Sequence, residues 1–310
     1  MNVGSKSIPF QSSTDIPSLA GKVIVVTGGN IGLGKQCVLE YARHKPAQIW
    51  LAARDTGKAK LAVEEIQSDR PAPIRILEIN LSSFESVKKA AETLLAETER
   101  LDILMLNAGV MAVPPAVTEQ GYELQFGTNY LGHALLARLL LPVLEKTSSL
   151  PGADVRIIAL SSYGHVYAPQ PAGIEFETLK TPADELGPFG RYSQSKLAAI
   201  LWTKQMAKLY PQFTLASIHP GVVRTNLMNN ATGSWCVVQV LGKIAGYVVA
   251  SVEQGARNQL WASVSEHVKS GEYYEPVGIR GKESDHGKDE QLAVKLWEWT
   301  EKEFEMHTGT

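Results

Sequence analysis

The sequence predicts an α/β fold built on one doubly wound parallel sheet, and three observations carry that prediction. Short β-branched or apolar runs alternate with stretches of helical periodicity from residue 22 onward. The first run, Lys22-Val23-Ile24-Val25-Val26, passes straight into a glycine-rich turn and then a helix. Later runs end in small or polar residues, where the carboxyl ends of parallel strands gather and ligands bind.

Composition narrows the function classes. A chain of 310 residues buries a substantial core, and 44% hydrophobic with 20% charged residues excludes wholesale disorder. A net charge of -2 gives no electrostatic reason to expect nucleic acid or an anionic membrane as partner. Two cysteines, Cys37 and Cys236, make no disulfide framework, and no Cys/His spacing suits a metal. No run of about 18 apolar residues predicts a transmembrane helix. Residues 1–20 are polar, contain Pro9 and Pro17 and lack a signal-peptide pattern, so a flexible arm and a cytoplasmic protein are expected.

The chain then reads in order. Thr27-Gly28-Gly29-Asn30-Ile31-Gly32-Leu33-Gly34 is a tight turn that lets a backbone approach a pyrophosphate, and the helix from Lys35 to His44 offers it unpaired N–H groups. The second strand, 48–53, ends at Arg54. An acid after this strand would bind a ribose 2′-hydroxyl, whereas Arg54, with Lys58 at the head of the next helix, suits a 2′-phosphate and hence NADP. A helix over 58–68 and a third strand over 74–79 lead to Asn80-Leu81-Ser82, with Ser82 or Ser83 capping a helix that runs to about Thr98. The fourth strand, 101–106, ends in Asn107-Ala108-Gly109, small residues that let backbone lie along a flat ligand. One long helix is expected from Thr128 to Lys146, with Asn129 near its start.

The fifth strand, 155–160, delivers Ser161 and Ser162. A Pro- and Gly-punctuated loop, 163–190, returns the chain to a helix carrying Tyr192 and Lys196. Four residues apart, these two share a helix face, and an ammonium beside a phenol is expected to lower its pKa, making Tyr192 a general acid/base. A sixth strand over 213–218 precedes Pro220-Gly221. Residues 226–250 read as two apolar helices forming a lid, 272–275 as a last strand, and 289–304 as an amphipathic terminal helix.

Taken together, Thr27-Gly28-x-x-x-Gly32-x-Gly34, Asn107-Ala108-Gly109, Asn129, Ser162, Tyr192-x-x-x-Lys196 and Pro220-Gly221 with Thr225 resemble the short-chain dehydrogenase/reductases over residues 20–305. Arg54 with Lys58, the stretch Gly173-Ile174-Glu175-Phe176 and Leu296-Trp297-Glu298 look most like the retinol dehydrogenase and WW-domain oxidoreductase branch, and like fungal natural-product reductases. The resemblance implies a Rossmann-type seven-stranded sheet of order 3-2-1-4-5-6-7 in a single catalytic domain over 21–305. It implies an NADP(H)-dependent oxidoreductase acting on a carbonyl/alcohol pair of a lipophilic small molecule, in secondary metabolism. Tyr192 would exchange the proton, Lys196 would support it and bind the nicotinamide ribose, Ser162 would hold the substrate oxygen, and Asn129 would anchor a relay water. The Val223 backbone and Thr225 would bind the carboxamide. Asn80 and Leu81 would meet the adenine, with Asn80 standing where the family usually has an acid. A dimer or tetramer is the family habit. Two other readings stay open at this point: a catalytically silent nucleotide-binding scaffold, and an imine reductase or cyclase in the same fold.

Overall fold

A computed structural model describes residues 7–69, 71–223 and 250–308. The strands are β1 (Val23–Thr27), β2 (Gln48–Ala53), β3 (Ile74–Glu78), β4 (Ile103–Leu106), β5 (Arg156–Leu160), β6 (Thr214–Ile218) and β7 (Glu272–Tyr274). They form one sheet in the order β3-β2-β1-β4-β5-β6-β7, every pairing parallel. That is the Rossmann-type order expected.

The central strands β1, β4 and β5 are buried along their whole length, apolar but for Thr27 and Arg156, because both faces of the sheet are covered. Alternate residues serve opposite cores. Val23 and Val25 join one cluster with Trp50, Leu104 and Leu201, while Ile24 and Val26 join the other with Tyr41, Leu51 and Trp261. The first core is closed by α3 (Phe84–Glu97), α4 (Gly132–Leu139), α5 (Leu141–Ser148), α6 (Gly187–Leu209) and α8 (Glu290–Thr308), and the second by α1 (Gly32–Arg43), α2 (Thr56–Asp69) and α7 (Val252–Val264). Ser83 caps α3, its hydroxyl accepting from the Ser86 N–H.

Three stretches differ from the sequence expectation. The helix expected over 128–146 is built in pieces: a short helical turn at Leu124–Phe126, a π-helical turn at Gly127–Leu131, then α4 and α5. Pro142 explains the break at Leu140, since it has no N–H to donate and its ring crowds the preceding turn; it sits in the first turn of α5 instead. The loop after β5 contains short 3-10 turns at Tyr163–Tyr167, Phe176–Thr178 and Asp184–Leu186, and α6 already begins at Gly187. Within the arm expected to be loose, Phe10, Ile16 and Leu19 are buried in the second core, and the Leu19 N–H donates to the His44 carbonyl. Residues 226–249 of the expected lid, and Thr225, expected to bind the carboxamide, fall on residues outside those described.

The terminal helix docks as its pattern implies. Leu292, Leu296 and Phe304 enter the first core, the Tyr122 hydroxyl donates to Glu303 at 2.6 Å, and Tyr130 and Thr300 share a hydrogen bond of 2.7 Å.

Candidate active site

A cleft of about 410 Å³ opens along the carboxyl ends of β1 to β5. Its lining includes Gly28, Asn30, Ile31, Gly32 and Leu33 from the turn after β1, Arg54 and Lys58 after β2, and Asn80 and Leu81 after β3. Asn107, Ala108 and Gly109 after β4, with Tyr192 and Lys196 from α6, complete that set. Residues widely separated in the chain thus meet because parallel strands deliver their ends to one edge. Thr27 and Asn129 lie just beneath, both buried.

The turn fits a dinucleotide pyrophosphate. Gly28 and Gly32 have φ of +66° and +53°, a region that side chains disfavour. A Cβ on Gly34 would run into the Gly28 carbonyl, so α1 packs against the turn only with glycine there. Ile31 precedes α1 with no side-chain cap, which leaves the first N–H groups of α1 facing the cleft for an anion.

At the ribose end, Arg54 is exposed and forms no ion pair among the described residues, whereas Lys58 lies 3.1 Å from Asp55. Both partners of that pair are solvated, so it holds Lys58 only weakly. The Asn80 amide oxygen accepts from both the N–H and the hydroxyl of Ser82, at 3.3 and 2.8 Å. That oxygen is engaged locally, while Asn80 still lines the cleft.

At the other end lie the chemical groups. The Tyr192 ring and the Ser162 hydroxyl stand side by side against Gly164, whose N–H donates to Ser162 Oγ at 3.0 Å. Ser161 is engaged differently: its hydroxyl donates to the Lys196 carbonyl at 2.7 Å and so ties β5 to α6. Lys196 Nζ donates to the Leu160 carbonyl at 2.8 Å. The pKa expectation for Tyr192 needs correcting. Burial pushes the phenol up to about 12, the Ser162 hydroxyl opposing it, and the Lys196 ammonium, 5.7 Å from the ring centre, does not reverse this. Burial also brings Lys196 itself down to about 8.

Asn129 is placed by the π-helical turn. Its side chain is fully engaged: Oδ1 accepts from Val110 N–H at 2.7 Å, and Nδ2 donates to the Val110 carbonyl and to Ser195 Oγ, each at 2.9 Å. Any part in a proton relay falls to its backbone carbonyl, which has a second lone pair beside the one facing His133. Val223 bridges Ala250 in parallel fashion at the border of the described residues.

Two buried histidines escaped the sequence reading. His165 Nδ1 is 2.7 Å from the Ser162 carbonyl while Nε2 accepts the Ser284 N–H at 3.0 Å, so the ring joins the serine turn to the C-terminal segment. His133 joins Asn129 to Thr27. Their only sequence signals are spacings, three residues after Ser162 and four after Asn129.

A parallel sheet with a glycine-turn cleft ending at a Tyr/Ser/Lys cluster defines an oxidoreductase working with a nicotinamide dinucleotide. A family model for short chain dehydrogenases matches residues 22–171. The chain is 37% identical over 314 residues to the short-chain dehydrogenase/reductase drtF of Aspergillus calidoustus, covering 96% of this chain and 97% of that protein. It is 37% identical over 289 residues to retinol dehydrogenase 13 of Homo sapiens, covering 90% and 83%. Among solved structures, an uncharacterized protein from Mycobacterium paratuberculosis is similar with a TM-score of 0.73 at 29% identity, covering 94% and 96%. The chain belongs to the short-chain dehydrogenase/reductase family, in its retinol dehydrogenase-like branch. No helix among the described residues is long and apolar enough to cross a membrane.

Proposed function

We propose that the chain is an NADP(H)-dependent reductase of ketones or aldehydes on lipophilic small molecules, serving secondary metabolism. The observation that carries this reading is the meeting of Tyr192, the Ser162 hydroxyl and the buried Lys196 at the end of the glycine-turn cleft. When bound, the nicotinamide supplies the hydride that the carbonyl carbon receives. Ser162 then holds the substrate oxygen, and Tyr192, a phenol that stays protonated through the working pH range, gives that oxygen its proton as negative charge develops. Lys196 contributes positive charge beside the phenol and a donor for the ribose. Val110, Met111 and Val113 give the cleft an apolar wall near this end, in keeping with a lipophilic substrate.

Arg54, with Lys58 as a second cation, supports NADP over NAD. The test is NADPH or NADH oxidation with a panel of retinal, long-chain aldehydes and aromatic ketones. Tyr192→Phe is expected to abolish turnover while NADPH still binds; turnover retained by that variant would remove Tyr192 as the acid. Arg54→Ala is expected to cut the preference for NADPH roughly tenfold, the scale of one charge-assisted hydrogen bond. An unchanged preference would overturn the cofactor assignment.

A further inference from the structure

The strip after β4, Asn107 to Val110, forms a wall of the cleft and is fixed by two anchors. The Thr27 hydroxyl oxygen accepts the N–H groups of Asn107 and Ala108 at 2.9 and 3.0 Å. The Asn129 amide grips both the N–H and the carbonyl of Val110. Between them, a Cβ on Gly109 would stand 3.1 Å from Asn129 Oδ1 and 3.5 Å from Lys196 Nζ, so the wall reaches the Tyr192 end of the cleft.

His133 joins the two anchors. Its Nδ1 is 3.0 Å from the Asn129 carbonyl, and its Nε2 is 2.9 Å from the Thr27 hydroxyl. A carbonyl only accepts, so Nδ1 carries the ring proton and Nε2 is bare. The Thr27 hydroxyl therefore donates to Nε2 at 2.9 Å in preference to the Met105 carbonyl at 3.4 Å, leaving its oxygen lone pairs for the two strip amides. One proton order runs from the wall through Thr27 and His133 to Asn129.

We propose that His133 is a positioning residue that sets the wall against which the nicotinamide cofactor lies. The proposal rests on the oxidoreductase reading only for the identity of that cofactor. Burial keeps the ring neutral, pulling its pKa down to about 4, so the arrangement holds across the working pH range. A histidine that merely filled the core would be replaceable by an apolar ring of similar size without effect on ligand binding.

The experiment compares cofactor dissociation constants, by nicotinamide fluorescence with NADPH and NADH, for wild type, His133→Phe and His133→Gln. The Phe variant loses both hydrogen bonds and is expected to bind at least roughly tenfold more weakly, the scale of one to two neutral hydrogen bonds. The Gln variant, which reaches Thr27 with an acceptor, is expected to recover part of that loss. Nitrogen NMR of labelled histidine in the wild type is expected to show the proton on Nδ1. Wild-type affinity in the Phe variant, or a proton on Nε2, overturns the proposal. If the Phe variant does not fold, Thr27→Val removes the same bond from its other end and is expected to weaken binding similarly; wild-type affinity there overturns it equally. A wild type that binds NADH rather than NADPH overturns the cofactor reading alone, because the ratio of variant to wild type is read with whichever cofactor binds.

Discussion

Lys196 is a stability liability that the fold tolerates. Lys196 is buried, and its pKa is brought down from 10.5 to about 8 by burial. Between those values the unfolded chain holds the extra proton, so this group's contribution to stability rises with pH across the window and is most unfavourable below pH 8. Lys196→Met removes the cation while keeping the volume. At pH 7 it is expected to raise unfolding free energy by about 2 kcal/mol, some 3 kcal/mol from the pKa displacement less about 1 for the orphaned Leu160 carbonyl. Urea unfolding at pH 7 and pH 10 checks this: the advantage should shrink toward pH 10, and a variant less stable than wild type at pH 7 would refute it. Turnover should vanish in the same variant, because the proposed chemistry needs the charge. In the wild type, with Tyr192 protonated up to about pH 12, kcat/KM for reduction should fall above about pH 8 as Lys196 loses its proton.

The elements show how much of this was legible. β1, the glycine turn and α1 are local: a buried strand must be apolar, and a turn with φ near +66° and +53° must carry glycine, so residues 22–44 announce themselves. The sheet order agrees with what the family resemblance implied, and the strand ends bring the glycine turn, Asn107-Ala108-Gly109, Tyr192 and Lys196 to one cleft. Long-range competition was not legible. The sign of the Tyr192 shift depends on how much protein surrounds the phenol, and four-residue spacing to Lys196 says nothing of that burial. The engagement of the Asn80 amide by Ser82, and of the Asn129 amide by Val110, depends on backbone that folds back on each side chain. Pro142 was in plain view as a helix breaker, yet apolar periodicity on both sides concealed the break. The turn also makes a prediction of its own. Gly34→Ala places a Cβ against the Gly28 carbonyl and Asn107 Nδ2, which should cost about 1–3 kcal/mol in unfolding free energy and abolish NADPH binding. Retained binding would show that the turn has room to relax.

At the scale of the whole molecule, the N-terminal segment decides between two views of the fold. As a free arm it would leave stability untouched when altered, since exposed substitutions shift it by about 0.5 kcal/mol or less. The structure instead sets Phe10 and Ile16 into the core shared by α1, α2 and α7, with the Ile8 N–H donating to the Val277 carbonyl across the chain's two ends. Phe10→Ala combined with Ile16→Ala should then cost about 3–6 kcal/mol, below the full sum of two buried truncations because a segment near the chain end can partly reclose. The loss should appear as a lower urea midpoint, and a change within about 0.5 kcal/mol would restore the free arm. Neither residue lines the cleft. NADPH at a hundredfold excess over its Kd should therefore add about 2.7 kcal/mol to mutant and wild type alike. Unequal increments would mean that the arm and the cleft are coupled through α1, whose first turn lines the cleft and whose buried face meets Phe10 and Ile16 in one core.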